Sequence, residues 1–176
     1  MKKIRFIDPL TSDTFWVTIL CMLACLQSPA QKTGASSADE TAIKKIIAAE
    51  TDAYARRDST LLISFYTDDP VTQSAWNSPD GSFGTYKGFA QIKKNFSDAF
   101  RATPQASYKP AIERSEWFFR QLGEGWIWVN FIEKEITSEG KLHTNYETRL
   151  MKRESSGWKI AAMFALSDHG VPPHNP

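Results

Sequence analysis

The fold is decided by residues 143–169, which read HTNYETRLMKR, then the turn ESSG, then WKIAAMFALSDH. Two strand-like runs separated by a short turn that contains Gly predict a β-hairpin. Alternation along the first strand places Asn145, Glu147 and Arg149 on one face and Tyr146 on the other. Ionisable groups on one face, beside an apolar strand, indicate a curved sheet that encloses a partly polar pocket.

The first thirty residues differ in character from the rest of the chain. Three basic residues lie among the first five, and the apolar run at 15–26 is shorter than the about 20 residues that span a bilayer. Small residues precede a cleavage point after Ala30, so we expect 1–30 to be a signal peptide and the protein to be exported, periplasmic or secreted. A rival cleavage before Cys25 would make it a lipoprotein, the only case in which we expect a membrane partner.

Both cysteines lie in this segment, so no disulfide is expected in the mature chain. The segment carries three basic and two acidic residues out of 21 and 20 in the whole chain, which leaves the remainder close to neutral. A neutral domain without a basic stripe argues against a nucleic-acid partner. We expect a linker at 31–37, one domain at 38–170 and a proline-rich tail at 171–176.

Helical patterns come first along the predicted domain. A capping box of Ser37 and Glu40 predicts the start of the first helix. Its inward face carries isoleucines at helical spacing, together with Glu50 and Tyr54.

Two further helices and a run of strands complete the pattern. A short helix is expected after Asp58 or Ser59 and another after Gly88, with a strand–turn–strand segment over 71–86 between them. Later in the chain the pattern predicts four strands, at roughly 108–121, 125–136, 142–154 and 158–167. Helices followed by antiparallel strands indicate an α+β fold, with the helices packed on one face of a bent sheet.

Five short motifs occur in one order: ARRD at 55–58, FYTDD at 65–69, GxxxIxxxF at 88–96, ETR at 147–149 and WKI at 158–160. Together they resemble the nuclear transport factor two-like superfamily, which includes SnoaL-like cyclases and ketosteroid isomerase, over about residues 38–170. The resemblance implies an α+β cone, in which N-terminal helices pack in a strongly curved antiparallel sheet. It also implies a cavity at the wide end and a homodimer. Members include enzymes, ligand binders and assembly modules, so the fold alone does not settle the function.

Glu50 is the first candidate for chemistry. It lies among isoleucines on the inward face of the first helix, where an ionised carboxylate is unfavourable unless it is paired. Two interpretations stay open. Glu50 is either an acid or base in a pocket, or a structural ion pair or rim position.

Glu147 and Arg149 are the second candidates. The strand that carries them most resembles the kinase association-domain branch and related bacterial proteins, in which the matching arginine faces the cavity. This implies that Arg149 holds a carboxylate-bearing ligand through a bidentate contact. The alternative is an internal salt bridge of Arg149 with Glu50 or Glu147.

Further candidates would line the pocket. We expect three aromatic residues, Tyr54, Trp76 and Trp128, to line an apolar cavity. Asn145 shares the face of Glu147, and His143 lies near a turn at the rim of the same face.

Several chemistries are disfavoured by the sequence. Aligning FYTDD with the acidic pair of ketosteroid isomerase puts Ser74 where that enzyme carries its catalytic aspartate, so its mechanism does not transfer. Zinc-ligand spacing is absent, and the glycines at 81, 84 and 88 lack the context of a phosphate-binding loop. We therefore expect neither a metal nor a cofactor.

Two functions follow as hypotheses. The first is the binding of a small apolar or carboxylate-bearing molecule. Glu50 would be the base and Arg149 would stabilise negative charge in a proton transfer of the isomerase, cyclase or dehydratase type. The second is a non-catalytic dimeric assembly or partner-binding module, in which these charges are structural.

Overall fold

The computed structural model describes residues 34–78, 80–105, 111–136 and 140–169. The predicted signal peptide, the alternative cleavage at Cys25, the start of the linker and the tail lie outside these residues. Within them, none of the helices combines the length and the apolar character needed to cross a membrane.

The described residues contain three helices, α1 (Ser37–Ala55), α2 (Ser59–Ser64) and α3 (Phe89–Ala102). The hydroxyl of Ser36 caps α1 by accepting a hydrogen bond from the Asp39 amide at 3.1 Å. The predicted capping box of Ser37 and Glu40 was therefore wrong by one residue. Ser36 is the last residue with extended backbone, and only such a residue can turn its side chain back to the first free amides.

The other two helix starts agree with the sequence. Asp58 caps α2 through a hydrogen bond from the Leu61 amide to its carboxylate at 2.9 Å. Gly88 precedes α3 with a φ of 84°, a conformation that glycine adopts at little cost.

Six strands form one sheet in the order β2-β1-β6-β5-β4-β3. Their bounds are β1 (Gln73–Asn77), β2 (Phe83–Lys87), β3 (Ile112–Gly123), β4 (Trp126–Ile136), β5 (Leu142–Glu154) and β6 (Gly157–Ser167). The predicted hairpin forms from β5 and β6. The expectation of a purely antiparallel sheet was wrong, because β1 pairs with β6 in parallel. That pairing joins distant parts of the chain, whose relative direction no local pattern specifies.

A bulge in β3 changes which of its side chains face the core. The register shifts between Ser115 and Phe118, and Glu116 within the bulge has a φ of 53°. Because one extra residue reverses the alternation, Arg114 faces inward before the bulge and Trp117 faces inward after it.

The core lies between the helices and one face of the sheet, here named the inner face. This face carries the odd-numbered residues of β4 and β5, and the even-numbered residues lie on the outer face. The buried core cluster consists of apolar side chains from α1, α3, the sheet and the segment after α2: Ile43, Ile47, Tyr66, Ile92, Ile127, Val129, Phe131, Met151, Trp158 and Ile160. The strong curvature expected of the sheet stays a prediction.

Candidate functional site

A cavity of about 670 Å³ is lined by α1, α3 and the inner face of the sheet. Its size falls within the range of roughly 300–1,000 Å³ that is usual for small-molecule pockets. The principal lining residues are Glu50, Tyr54, Arg57, Ser74, Trp76, Tyr86, Phe96, Glu133, Glu135, Asn145, Glu147, Arg149 and Met163.

Glu50 forms part of the wall, with 7% of its surface exposed. α1 aligns it with the buried Ile47 and Ala53, because residues three apart lie on one face of a helix. The Tyr66 hydroxyl donates a hydrogen bond to Glu50 Oε1 at 2.9 Å and lies 3.6 Å from Met163 Sδ. Burial raises the pKa of Tyr66 well above its ordinary value, and the Glu50 charge adds to the rise. Tyr66 therefore remains a hydrogen-bond donor at neutral pH.

Glu147 and Arg149 form a buried ion pair on the inner face of β5. Arg149 Nη1 donates to Glu147 Oε2 at 2.6 Å and to the Thr148 carbonyl at 3.1 Å. Of the two salt bridges left open by the sequence, this is the one that forms. Arg149 Nε is buried and has no hydrogen-bond partner among the described residues. One donor of the guanidinium is therefore not used by the described part of the chain.

Opposing effects act on the charges of this pair. Burial raises the pKa of Glu147, Arg149 lowers it, and the nearby Glu133 and Glu50 carboxylates raise it, with a net rise. Burial opposes the charge of Arg149, but Glu147 and Glu50 outweigh it and raise the pKa of the guanidinium. Arg149 therefore keeps its charge at neutral pH.

A second ion pair lies nearer the open end of the cavity. Arg114 Nε donates to Glu133 Oε2 at 2.7 Å, and Arg114 Nη2 donates to Thr51 Oγ1 at 2.8 Å. Two residues further along β4, the side chain of Glu135 is 29% exposed, so this end meets solvent. Burial and Glu133 raise the pKa of Glu135, and His143 opposes the rise. Within the described ranges, no group of three or more His, Cys, Asp or Glu side chains is arranged to hold a metal ion.

Aromatic rings form much of the remaining wall. The rings of Tyr54 and Phe96 meet edge to face, with centroids 6.3 Å apart. Those of Trp76 and Tyr86, on β1 and β2, lie 4.9 Å apart. Gly84 makes room for the indole, since a Cβ at this position would lie 2.2 Å from Trp76 Cζ2. This wall therefore depends on a glycine in the neighbouring strand.

The structure brings six of the predicted site residues to this cavity, namely Glu50, Tyr54, Trp76, Asn145, Glu147 and Arg149. Their roles in binding or catalysis stay predictions.

Trp128 and His143 do not line this cavity. The prediction was wrong for Trp128, because even-numbered residues of β4 face outward. Its Nε1 donates to Asn130 Oδ1 at 2.7 Å instead. His143 lies just beyond the lining residues, with Nδ1 3.9 Å from Glu135 Oε1.

Sequence reasoning missed several residues of the site, among them Glu133, Glu135 and Tyr66. Alternation from Phe131 along β4 already places Glu133 and Glu135 on the inner face, so that signal was available. Tyr66 had no such signal. It reaches Glu50, sixteen positions away, only because the chain after α2 folds back against β6.

No protein-family model matches this sequence, and no curated protein matches it. Solved structures do. A protein of unknown function with a cystatin-like fold from Nostoc punctiforme has a TM-score of 0.58 at 13% identity, covering 79% of this chain and 98% of that one. A ketosteroid isomerase-like protein from Erwinia carotovora atroseptica has a TM-score of 0.52 at 19% identity, covering 78% and 100%. A proposed dehydratase of the NTF2-like family from Streptomyces avermitilis has a TM-score of 0.56 at 16% identity, covering 75% and 97%.

Proposed function

We propose that this chain, which has the cone fold of nuclear transport factor two-like and cystatin-like proteins, binds a small, largely apolar molecule in its cavity and transfers a proton on it without a cofactor. The observation that carries the proposal is the environment of Glu50. This buried carboxylate lies on a partly aromatic wall and is held by a neutral hydroxyl rather than by a guanidinium. A carboxylate held in this way is available as a general base.

The neighbouring side chains fit supporting roles. Tyr66 is a positioning residue, since its hydroxyl fixes the orientation of the Glu50 carboxylate. Arg149 would stabilise negative charge that develops on the substrate, through the Nε that has no partner in the described chain. Such donors contribute most when the fold already holds them in place, as the Glu147 pair does for Arg149.

Two further considerations support the proposal. Two of the similar structures are named a ketosteroid isomerase-like protein and a proposed dehydratase. Isomerisation and dehydration both proceed by proton transfer to and from a positioned side chain. The basic and apolar start of the chain supports export, and we propose that the protein acts outside the cytoplasm.

Replacing Glu50 with glutamine tests the proposed base. The probe is 2-tetralone, a small aromatic ketone with exchangeable protons next to the carbonyl, followed by proton NMR in heavy water. We expect the parent chain to accelerate exchange above the buffer rate. Glu50→Gln should reduce the protein-dependent rate by about 10²–10⁴-fold and leave binding of 2-tetralone intact, because the amide keeps the shape and loses the base.

The matched control is Glu124→Gln, which removes the same charge from the exposed turn between β3 and β4. It should exchange at the parent rate. If 2-tetralone does not bind, the proposed site is wrong. If it binds and Glu50→Gln exchanges as fast as the parent, Glu50 is not the base.

A second function, assembly with another copy of this chain, is favoured by the outer face of the sheet. The pairing of β3, β4, β5 and β6 places Phe118, Tyr146 and Leu166 on this outer face. Each of the three side chains is about half exposed or more. Two polar side chains among them bond to each other, since Asn130 Nδ2 donates to Thr148 Oγ1 at 2.7 Å. An apolar patch of this kind can be buried against a partner without leaving polar groups unpaired.

Sedimentation equilibrium tests this second function. A self-associating chain should show twice the mass of its monomer, and Leu166→Glu should return it to the monomer mass. A carboxylate at the centre of an apolar interface is expected to weaken association by about a hundredfold or more. Val71→Glu, at a similarly exposed site before β1, should leave the dimer intact. A monomeric parent chain would exclude this function.

A further inference from the structure

We infer that the ligand of this cavity carries a positive charge, as an ammonium or similar organic cation on an apolar body. The inference rests on the small-molecule binding proposed above and adds the chemical class of the ligand. It opposes the carboxylate-bearing ligand that the resemblance implied for Arg149.

Carboxylates outnumber guanidiniums in the lining, which contains Glu50, Glu133, Glu135 and Glu147 but only Arg57 and Arg149. Two of these carboxylates are already paired, Glu147 with Arg149 at 2.6 Å and Glu133 with Arg114 at 2.7 Å. Among the residues that the structure describes, no Lys or Arg lies within ion-pair distance of Glu50 or Glu135. Glu50 therefore lacks a cationic partner in the described chain, and the nearest potential cation to Glu135 is the imidazole of His143, 3.9 Å away.

Arg57 does not balance those charges. Its guanidinium lies over the rings of Tyr54 and Phe100, 5.3 and 5.1 Å from their centroids. The face of an aromatic ring attracts cations because its π electrons carry partial negative charge. Trp76 and Tyr86 in the same wall offer further ring surface to a bound organic cation.

Ser74 gives an independent sign of a ligand. It lies on β1 beside Met163, lines the cavity and is 1% exposed. Its hydroxyl has no hydrogen-bond partner in the described part of the chain. Buried polar groups without partners are unfavourable, and an N–H group of a bound ammonium would satisfy this oxygen.

The same cavity disfavours an anionic ligand. Its charge would be repelled by Glu50 and Glu135. The Nη1 of Arg149 is already engaged by Glu147 and the Thr148 carbonyl, which leaves the buried Nε atoms of Arg57 and Arg149 as the guanidinium donors without a partner in the described chain. The same groups that favour an ammonium therefore select against a carboxylate of the same size.

Three probes of nearly equal shape test the inference: 2-naphthylmethylammonium, 2-naphthylmethanol and 2-naphthoate. Binding to the full chain is measured by calorimetry at pH 7 and low salt. We expect the ammonium to bind at least about tenfold more tightly than the alcohol, and the carboxylate to bind most weakly.

Glu135→Gln tests whether the preference for the ammonium probe arises in this cavity. This change should weaken the ammonium by about tenfold and leave the alcohol unchanged, since only the charged probe interacts with the lost carboxylate. The matched control is Glu113→Gln, on the adjacent strand and on the outer face, which should change neither.

The parent chain alone gives a second readout that does not depend on a folded variant. Burial and Glu133 raise the pKa of Glu135, and a bound ammonium would lower it as His143 already does, so binding should release protons in the acidic range where this carboxylate titrates. Calorimetry in two buffers with different ionisation enthalpies detects this release. If no probe binds, the proposed function fails and the inference fails with it. If the alcohol or carboxylate binds as tightly as the ammonium, or no protons are released, the binding site stands and the inference is overturned.

Discussion

Arg149→Ala is expected to lower the free energy of unfolding by about 3–5 kcal/mol at pH 7, the usual cost of breaking a buried ion pair. The change leaves the Glu147 carboxylate buried without the guanidinium that now contacts it at 2.6 Å. It also removes the guanidinium from above the Phe131 ring, 5.8 Å away. Urea unfolding followed by circular dichroism measures the loss.

The pH dependence of this loss has a definite sign. Without Arg149, burial raises the pKa of Glu147 further above its value in the unfolded chain. The folded state then binds a proton that the unfolded state releases, so the stability of the variant falls as pH rises through this range. We expect a smaller loss near pH 5 than at pH 7.

Two variants test the assignment to a buried pair. Arg153→Ala, on the same strand, breaks the exposed pair with Asp39 and should cost only about 0–1 kcal/mol. Arg149→Met combined with Glu147→Leu removes both charges and should recover most of the stability. Equal losses for Arg149→Ala and Arg153→Ala would contradict the assignment.

Phe131→Ala is expected to cost about 3–5 kcal/mol, as a large side chain deleted from a packed core does. Phe131 is 1% exposed at the centre of the inner face and stacks on Trp117 with centroids 4.4 Å apart. Phe131 pairs with Glu147 of β5, and its neighbours Asn130 and Ile132 pair with β3, so this backbone cannot collapse into the space. The same urea titration measures this effect.

Phe83→Ala is the matched control, because it makes the same substitution at an exposed position. Phe83 lies on the edge strand β2 and is 78% exposed. Its truncation should change stability by no more than about 0.5 kcal/mol. A small loss for Phe131→Ala would show that the inner face of β4 does not form the core.

Much of the local structure followed from sequence patterns. The hairpin of β5 and β6, the cap at Asp58 and the helix start after Gly88 each depend on residues within a few positions of one another. The confirmed resemblance to the nuclear transport factor two-like fold rested on the order of such local motifs. The exact cap position did not follow from the sequence, because Ser36 and Ser37 are chemically identical and only the backbone decides which of them caps the helix.

The candidate site was also predicted only in part, because local patterns place some of its residues and long-range contacts place the others. Strand alternation correctly placed Asn145, Glu147 and Arg149 on the cavity side. Trp128 was assigned by residue type rather than by alternation, and it faces outward. Tyr66 was missed because its contact with Glu50 joins two segments that no pattern relates.

The sequence by itself determined the elements, the alternation of faces and the presence of charged groups on the inner face, because these depend on neighbouring residues and on fixed helical and strand periods. The tertiary structure alone decided the parallel pairing of β1 with β6, the choice of Glu147 as the partner of Arg149, and the hydroxyl that holds Glu50. Each of these is a choice among groups of the same chemistry. Such choices are made by distances of a few ångströms between segments far apart in the chain, and only the packed fold sets those distances.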